Sequence, residues 1–98
     1  MELHKAPAAY LILLESSRYY TGATRDMKER WAAHKRGEAC RTTQVDPPVE
    51  LAYVEDFNSF PEAAARERQI KPWSRAKKEA LAAGDLQGLK RFSKRRVR

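Results

Sequence analysis

Two tyrosines, an arginine, a histidine and a glutamate are the side chains of this 98-residue sequence whose types suit acid–base chemistry on phosphate. Tyr10 and Tyr20 lie ten residues apart, and Arg30 and His34 lie four apart. Glu67 follows much later in the chain. Phenol and imidazole groups exchange protons, a guanidinium neutralises phosphate, and a carboxylate holds a divalent cation. Together these groups could divide the work of hydrolysing a phosphodiester bond.

Several other chemistries lack support in the sequence. The two histidines and the single Cys40 do not have the spacing of a zinc site. Neither a Gly-x-x-x-x-Gly-Lys phosphate loop nor a Gly-x-Gly-x-x-Gly fingerprint is present. Cys40 has no adjacent histidine that would activate it as a nucleophile. Taken one at a time, the tyrosines also fit ordinary packing, and the arginine and glutamate also fit a solvated surface.

The elements that must position these side chains begin with a predicted hairpin. The short apolar run Tyr10–Leu14 predicts a buried strand, and Tyr19–Thr21 predicts a second strand after a polar turn. Gly22 is expected to end that second strand and to permit a close backbone approach. Both tyrosines would therefore lie on neighbouring strands.

A helix is predicted directly after the hairpin. Asp26 is a good N-cap with Glu29 three residues later, and Gly37 fits the C-cap, so the helix runs to about Arg36. Arg30 and His34 share one face of it, because residues four apart are neighbours on a helix.

The second half of the chain predicts one more strand and three helices. Residues 38–48 lack periodicity and read as a loop, and Val49–Val54 predicts a strand with Val49, Leu51 and Tyr53 on one face. Capping residues and helix breakers then predict helices from Ser59 to Lys71, from Ser74 to Ala83, and over about 86–92. The order predicts a single α+β domain, residues 1–98, with a small three-stranded mixed or antiparallel sheet flanked by helices.

Charge divides the chain into two parts. Residues 1–70 carry ten Lys and Arg against eleven Asp and Glu, whereas residues 71–98 carry ten against two, within a total of +7. The basic C-terminal part, about residues 72–98, favours a nucleic-acid partner, with contacts from Lys71, Arg75, Lys77 and Lys78. The other interpretation is a solvated helix face with a frayed tail. The unpaired cysteine and the lack of a long apolar run predict a cytoplasmic protein that does not contact a membrane.

The spacing of the candidate residues resembles the GIY-YIG nuclease superfamily. Ala8-Ala9-Tyr10 stands at the position of the "GIY" segment, and Tyr20-Thr21-Gly22 stands at "YIG". Arg30 follows Tyr20 by ten residues, as the family's arginine does, and His34 follows four residues later. Glu67, on the helix after the third strand, matches the family's metal-binding glutamate. Around residues 48–51 and 70–81 the chain is similar to small stand-alone bacterial members.

The resemblance implies an activity and a role for each residue. The activity is metal-dependent hydrolysis of nucleic acid, DNA more than RNA, with Mg²⁺ or Mn²⁺ as cofactor and DNA repair as the setting. Tyr10 is implied as general base or water positioner, Arg30 as the contact to the scissile phosphate, and Glu67 as the protein ligand of the metal. Tyr20 and His34 are implied as supporting acid–base or phosphate-binding groups.

Two other functions fit the same sequence. One is a catalytically weak or inactive nucleic-acid-binding module that keeps the fold, and the other is a small protein that docks on a larger assembly. A lone carboxylate facing phosphate favours the nuclease, because binding alone does not need it. An exposed apolar patch would favour the docking protein.

Overall fold

The computed structural model describes residues 2–85 and contains a three-stranded antiparallel sheet. Strand β1 (Ala8–Leu14) lies in the centre, between β2 (Tyr19–Thr24) and β3 (Pro48–Asp56). Helices pack around this sheet, so the predicted α+β class is confirmed and the sheet is antiparallel throughout. The helix predicted over 86–92 and the basic tail lie outside the described residues.

The hairpin of β1 and β2 forms as predicted, with one difference at its far end. The turn closes through the Ser17 amide, which donates to the Leu14 carbonyl at 2.8 Å. Strand β2 continues through Gly22 to Thr24, so the prediction that Gly22 ends the strand is wrong. Gly22 pairs with Tyr10 in mid-strand, and it serves there as a gap for a neighbouring ring.

Strand β3 departs from simple alternation. Its pairing with β1 shifts twice, and Ala52 and Val49 are the extra residues at the two shifts. Leu51 packs on the Tyr10 side of the sheet, whereas Tyr53 packs on the Leu11 side. The prediction that Val49, Leu51 and Tyr53 share a face is therefore wrong, because each bulge reverses the side on which later residues lie.

The capped helices form where the sequence predicts them. Helix α1 (Met27–Arg36) starts at Asp26, whose carboxylate accepts from the Glu29 amide at 3.1 Å, and stops at Gly37 with φ 75°. Helices α3 (Phe60–Ile70) and α4 (Arg75–Ala83) start at serine caps.

A short helix, α2 (Arg41–Val45), occupies the segment that the sequence predicts to be a loop. Five residues are too few to show a helical period, so pattern analysis misses it. The Gln44 amide donates to the Cys40 carbonyl at 3.2 Å, and the Asp46 amide donates to the Thr42 carbonyl at 2.9 Å. Its one buried residue, Thr43, anchors it to α1 through a side-chain contact described below.

Each face of the sheet has its own hydrophobic cluster. Met27 and Trp31 of α1 pack with Tyr10 and Ile12 on one face. The other face packs Leu11 against helices α3 and α4; its members are Ile70, Leu81, Tyr19, Tyr53 and Trp73. None of the helices within residues 2–85 has the length and apolar character to cross a membrane.

Candidate active site

Three aromatic rings meet on the α1 side of the hairpin. Tyr20 pairs with Ile12, two residues from Tyr10, so both tyrosines point to the same face of the sheet. Their ring centroids are 6.3 Å apart, and the His34 ring lies 5.6 Å from each. The structure thus brings together three of the five residues that the sequence singles out. We call Tyr10, Tyr20 and His34 the aromatic cluster.

Gly22 makes room for the Tyr10 ring. A Cβ atom at Gly22 would lie 2.5 Å from both Cζ and the hydroxyl oxygen of Tyr10, closer than such atoms approach in proteins. The side chain of Tyr10 therefore crosses the backbone of the partner strand at the one position without a side chain. This confirms the sequence-based expectation of a close approach at Gly22.

His34 uses both ring nitrogens within the protein. Its Nε2 lies 2.9 Å from the Tyr10 hydroxyl, and its Nδ1 lies 2.9 Å from Thr43 Oγ1. The residue is fully buried. Burial and the nearby Arg30 guanidinium lower its pKa to about 4, so the imidazole is neutral at neutral pH.

Both tyrosines of the cluster have raised pKa values, which favour the protonated hydroxyl. Burial, and next to it the proximity of Tyr20, raises the pKa of Tyr10, and the opposing effect of Arg30 is smaller. Burial and a hydrogen bond to Cys40 raise the pKa of Tyr20 to about 12. The positive charge of Arg30 would by itself help to deprotonate Tyr10. In the folded protein the cost of burying a charged phenolate outweighs that effect.

Arg30 and Glu67 approach the cluster from two different helices. Arg30 is partly buried on the same face of α1 as His34. Glu67 lies on the face of α3 that carries the buried Ala63 and Ile70, and its side chain is 24% exposed. The negative charge of Glu67 raises the pKa of both cluster tyrosines, and Arg30 lowers it. Both charged residues are therefore close enough to the cluster to influence it electrostatically.

Glu67 fits a magnesium-type ion better than a zinc ion. Within residues 2–85, no group of three or more His, Cys, Asp and Glu side chains forms a metal-binding set. Zinc sites use three or four such protein ligands. Mg²⁺ keeps several waters and takes one or two carboxylates together with substrate phosphates. A single, partly exposed carboxylate suits the second type of site.

A cleft of about 410 Å³ opens beside Arg30. Arg25 and Phe60 also line it, and the Arg25 guanidinium lies 4.4 Å from the Phe60 ring centroid. Sequence reasoning did not single out Arg25. Its position directly after β2 and before the Asp26 cap is the feature that places it near the catalytic candidates.

Sequence reasoning also missed Thr43 and Cys40, which form the back of the cluster. Thr43 lies between His34 and Cys40, and Tyr20 is hydrogen-bonded to Cys40. Burial raises the pKa of Cys40, but its hydrogen bonds with Thr43 and Tyr20 outweigh that effect, so the net shift of the pKa is downward. Both residues lie in or beside α2, which sequence patterns do not reveal.

The predicted nucleic-acid-binding residues lie along the end of α3 and the start of α4. Lys71 and Arg75 are exposed, and Arg75 donates from Nε to the Ser17 carbonyl at 2.8 Å. Burial and the nearby Lys71 lower the pKa of Lys78. Lys77 differs from the others: it is only 7% exposed, and its ammonium lies 4.0 Å from the Trp73 ring centroid.

A small basic pocket of about 200 Å³ joins this segment to the hairpin turn. It is lined by Arg18, Tyr19, Arg75 and Lys78. Lys71 continues the basic surface to Glu67, since its ammonium lies 4.0 Å from a Glu67 carboxylate oxygen. We call Arg18, Lys71, Arg75 and Lys78 the basic strip.

Comparison with known proteins identifies the family of this chain. Residues 7–80 match the GIY-YIG catalytic domain family. A UPF0213 protein of Halobacterium salinarum is 44% identical over 72 residues, which cover 74% of this chain and 94% of that protein. A UPF0213 protein of Staphylococcus saprophyticus is 36% identical over 72 residues, which cover 74% of this chain and 88% of that protein. No solved structure matches the chain. By its sequence match, its sheet and its helices, this chain belongs to the GIY-YIG family of nuclease domains and is similar to the small UPF0213 proteins of archaea and bacteria.

Proposed function

We propose that this protein is a metal-dependent endonuclease that hydrolyses phosphodiester bonds, with DNA as its substrate. The observation that carries the proposal is the convergence of the aromatic cluster with Arg30 and Glu67. Membership of a nuclease family supports the reaction class. A protein that only bound nucleic acid would gain nothing from an acidic Glu67 beside phosphate-binding cations, because like charges repel.

The roles of the two charged residues follow from their chemistry. Arg30 binds the scissile phosphate, because a guanidinium pairs with two phosphate oxygens and keeps its charge at every working pH. Glu67 would hold Mg²⁺ or Mn²⁺, which supplies charge neutralisation and Lewis-acid activation when bound. Lys71, one turn from Glu67, adds positive charge near the same phosphate.

Tyr10 acts in this proposal by orienting the attacking water. Its raised pKa and its hydrogen bond to His34 keep the hydroxyl protonated in the free protein. The hydroxyl oxygen still has a lone pair that accepts a hydrogen bond from water. The water oxygen forms the new bond to phosphorus as the bond to the leaving oxygen breaks. The leaving oxygen takes up a proton from solvent, and the proton of the water returns to solvent.

The basic strip would hold the nucleic-acid strand next to the cleavage site. Its four basic residues run from Lys71, next to Glu67, to Arg18 at the hairpin turn. The ring of Tyr19 lies beside them. Contacts of this kind bind phosphates without reading sequence. We therefore propose binding with weak sequence selectivity. Because DNA and RNA share these phosphates, the cleavage test includes both.

The test is cleavage of labelled single-stranded, nicked and branched DNA, and of matched RNA, with Mg²⁺ or Mn²⁺. The variants are Glu67→Gln and Arg30→Ala, and the control is Glu50→Gln, an exposed carboxylate on β3 at the opposite edge of the sheet. We expect losses of about 100-fold or more for both site variants, the usual effect of removing a charge-stabilising group. The control should retain the parent rate.

Two results would contradict this function. Cleavage that survives both site substitutions would place the active site elsewhere. A parent protein that cuts no substrate yet binds DNA in a salt-sensitive way would instead establish a binding module that keeps the fold.

A further inference from the structure

Thr43 is a buried polar residue that contacts the aromatic cluster from behind. It is 1% exposed, and its Oγ1 lies 2.9 Å from His34 Nδ1 and 3.4 Å from the Cys40 carbonyl oxygen. The Sγ atom of Cys40 lies 3.5 Å away on the same side. A threonine hydroxyl has one proton to donate and lone pairs that accept. The direction of each hydrogen bond therefore matters.

The carbonyl of Cys40 decides where the Thr43 proton goes. A carbonyl oxygen only accepts, so the contact is a hydrogen bond only if Thr43 donates. Threonines in helices commonly donate to the carbonyl three or four residues earlier, and Cys40 is three residues earlier. With its proton used in this way, the Thr43 oxygen accepts a hydrogen bond from His34 Nδ1.

The rest of the chain of hydrogen bonds then follows. A neutral imidazole carries one N–H, so a proton on Nδ1 leaves Nε2 as an acceptor. The hydroxyl of Tyr10, 2.9 Å from Nε2, must then donate to His34. The lone pairs of the Tyr10 oxygen are then directed away from the imidazole.

We propose that Thr43 is a positioning residue, which fixes the Nδ1–H tautomer of His34 and thereby makes Tyr10 a hydrogen-bond acceptor toward the attacking water. This inference rests on the proposed nuclease function and deepens it. With the opposite tautomer, Nε2–H would donate to the Tyr10 oxygen. The Tyr10 proton would then be aimed outward and one lone pair would be occupied by Nε2–H, so the hydroxyl would meet the water chiefly as a donor.

The first test measures the tautomer in the free protein, without substrate or metal. A uniformly ¹⁵N-labelled His4→Gln protein has His34 as its sole histidine, since the sequence contains two. Long-range ¹H–¹⁵N correlation at neutral pH should show Nδ1 protonated and Nε2 unprotonated. Thr43→Val, which keeps the shape and removes the hydroxyl, should shift the equilibrium toward Nε2–H. Thr43→Ser should restore the parent pattern.

The second test measures cleavage kinetics in the same variants. Thr43→Val should lower kcat by about 10- to 100-fold, the usual effect of losing a partner that orients a functional histidine. KM should change much less, because Thr43 lies behind the cluster and away from the basic strip proposed to bind the nucleic acid. Thr43→Ser should stay near the parent rate, and circular dichroism of each variant should match the parent.

Several outcomes would overturn the inference. One is an Nε2–H tautomer in the parent, and another is an unchanged tautomer in Thr43→Val. A third is a tautomer that shifts while kcat stays the same. A parent that cuts no substrate would instead overturn the proposed function, while the tautomer measurement would still decide the assignment of Thr43.

Discussion

At the scale of single residues, the site depends on environment more than on residue type. Tyr10 and His34 are groups that sequence reasoning associates with proton transfer. Burial moves their pKa values in opposite directions, upward for the phenol and downward for the imidazole, so both are neutral at neutral pH. Neutral partners suit a hydrogen-bond relay that orients water. In the proposed mechanism, Arg30 and a bound cation would supply the positive charge at the phosphate.

The lowered pKa of His34 predicts a pH-dependent stability. In the unfolded chain the imidazole titrates near its ordinary pKa of 6.5, whereas in the folded protein its pKa is about 4. The stabilisation from a neutral His34 is therefore complete above pH 6.5 and is lost as the pH falls from 6.5 through 4. Between these two pH values, the unfolded state takes up a proton on this histidine and the folded state does not. We expect a loss of about 1 to 2 kcal/mol in the free energy of unfolding between pH 7 and pH 5.

Urea denaturation of the parent and of His34→Gln at both pH values measures this effect. The variant should lose much less stability than the parent on acidification. His4→Gln, which removes the other histidine of the sequence, is the matched control. Equal pH dependence in the parent and in His34→Gln would show that His34 is not the group responsible.

At the scale of elements, the hairpin fixes the Tyr10 ring by a cross-strand pair. Tyr10 and Gly22 face each other, and the ring fills the space that a side chain at position 22 would occupy. The pairing register of β1 and β2 therefore also determines where the Tyr10 ring lies. Both α1 and α2 then close over the ring, through His34 and Thr43 respectively.

We predict that Gly22→Ala disrupts this arrangement. Its Cβ would lie 2.5 Å from two atoms of the buried Tyr10 ring, so the ring or the strand must move. Overpacking of this kind costs about 1 to 3 kcal/mol, which urea denaturation would detect. The nuclease rate should fall more than stability alone explains, measured under conditions where the variant is fully folded.

Ala23→Ser is a suitable control on the same strand, because Ala23 is only partly buried. It should change both quantities little. A stable and fully active Gly22→Ala would mean that the position of the Tyr10 ring is not critical for cleavage.

At the scale of the whole molecule, basic residues are arranged along a path that starts beside Glu67. The first 70 residues are nearly neutral, and the basic excess begins at Lys71, one turn after Glu67. Arg75 and Lys78 carry the path to the hairpin turn, where Arg18 meets them. A strand bound along this path would enter the site beside the metal-binding candidate.

Binding of DNA should therefore weaken steeply with salt. Each phosphate contact contributes a slope of about −0.9 for duplex DNA, or about −0.7 for single strands, in a log–log plot of affinity against salt. The triple variant Lys71→Ala, Arg75→Ala, Lys78→Ala should reduce the magnitude of that slope by about 2 to 3. Fluorescence anisotropy over a salt series, with Glu67→Gln as the background to prevent cleavage, measures it.

A matched triple variant at exposed basic positions outside the strip, Lys5→Ala, Lys28→Ala and Arg41→Ala, provides the control and should reduce the slope less. A flat plot for the parent would exclude binding through phosphates. Equal reductions in both triple variants would mean that binding follows net charge and does not use the strip.

The sequence by itself determined the elements with strong local signals. Capping residues set the ends of α1, α3 and α4, and apolar runs set the strands, because both depend on chemistry within a few residues. The spacing from Tyr10 through His34, together with Glu67, is enough to indicate the family and five candidate residues. Gly22 stands out as a point of close approach for the same local reason.

Only the tertiary structure decided which of those residues contact one another. Helix α2 is too short to produce a periodic pattern, and the bulges at Val49 and Ala52 depend on pairing with another strand. The link from Thr43 to His34 spans nine residues and two helices, so no local rule predicts it. Burial, which comes from packing of distant segments, set the protonation of the aromatic cluster. Sequence supplied the candidate groups, and packing decided which of them lie within hydrogen-bonding distance of one another.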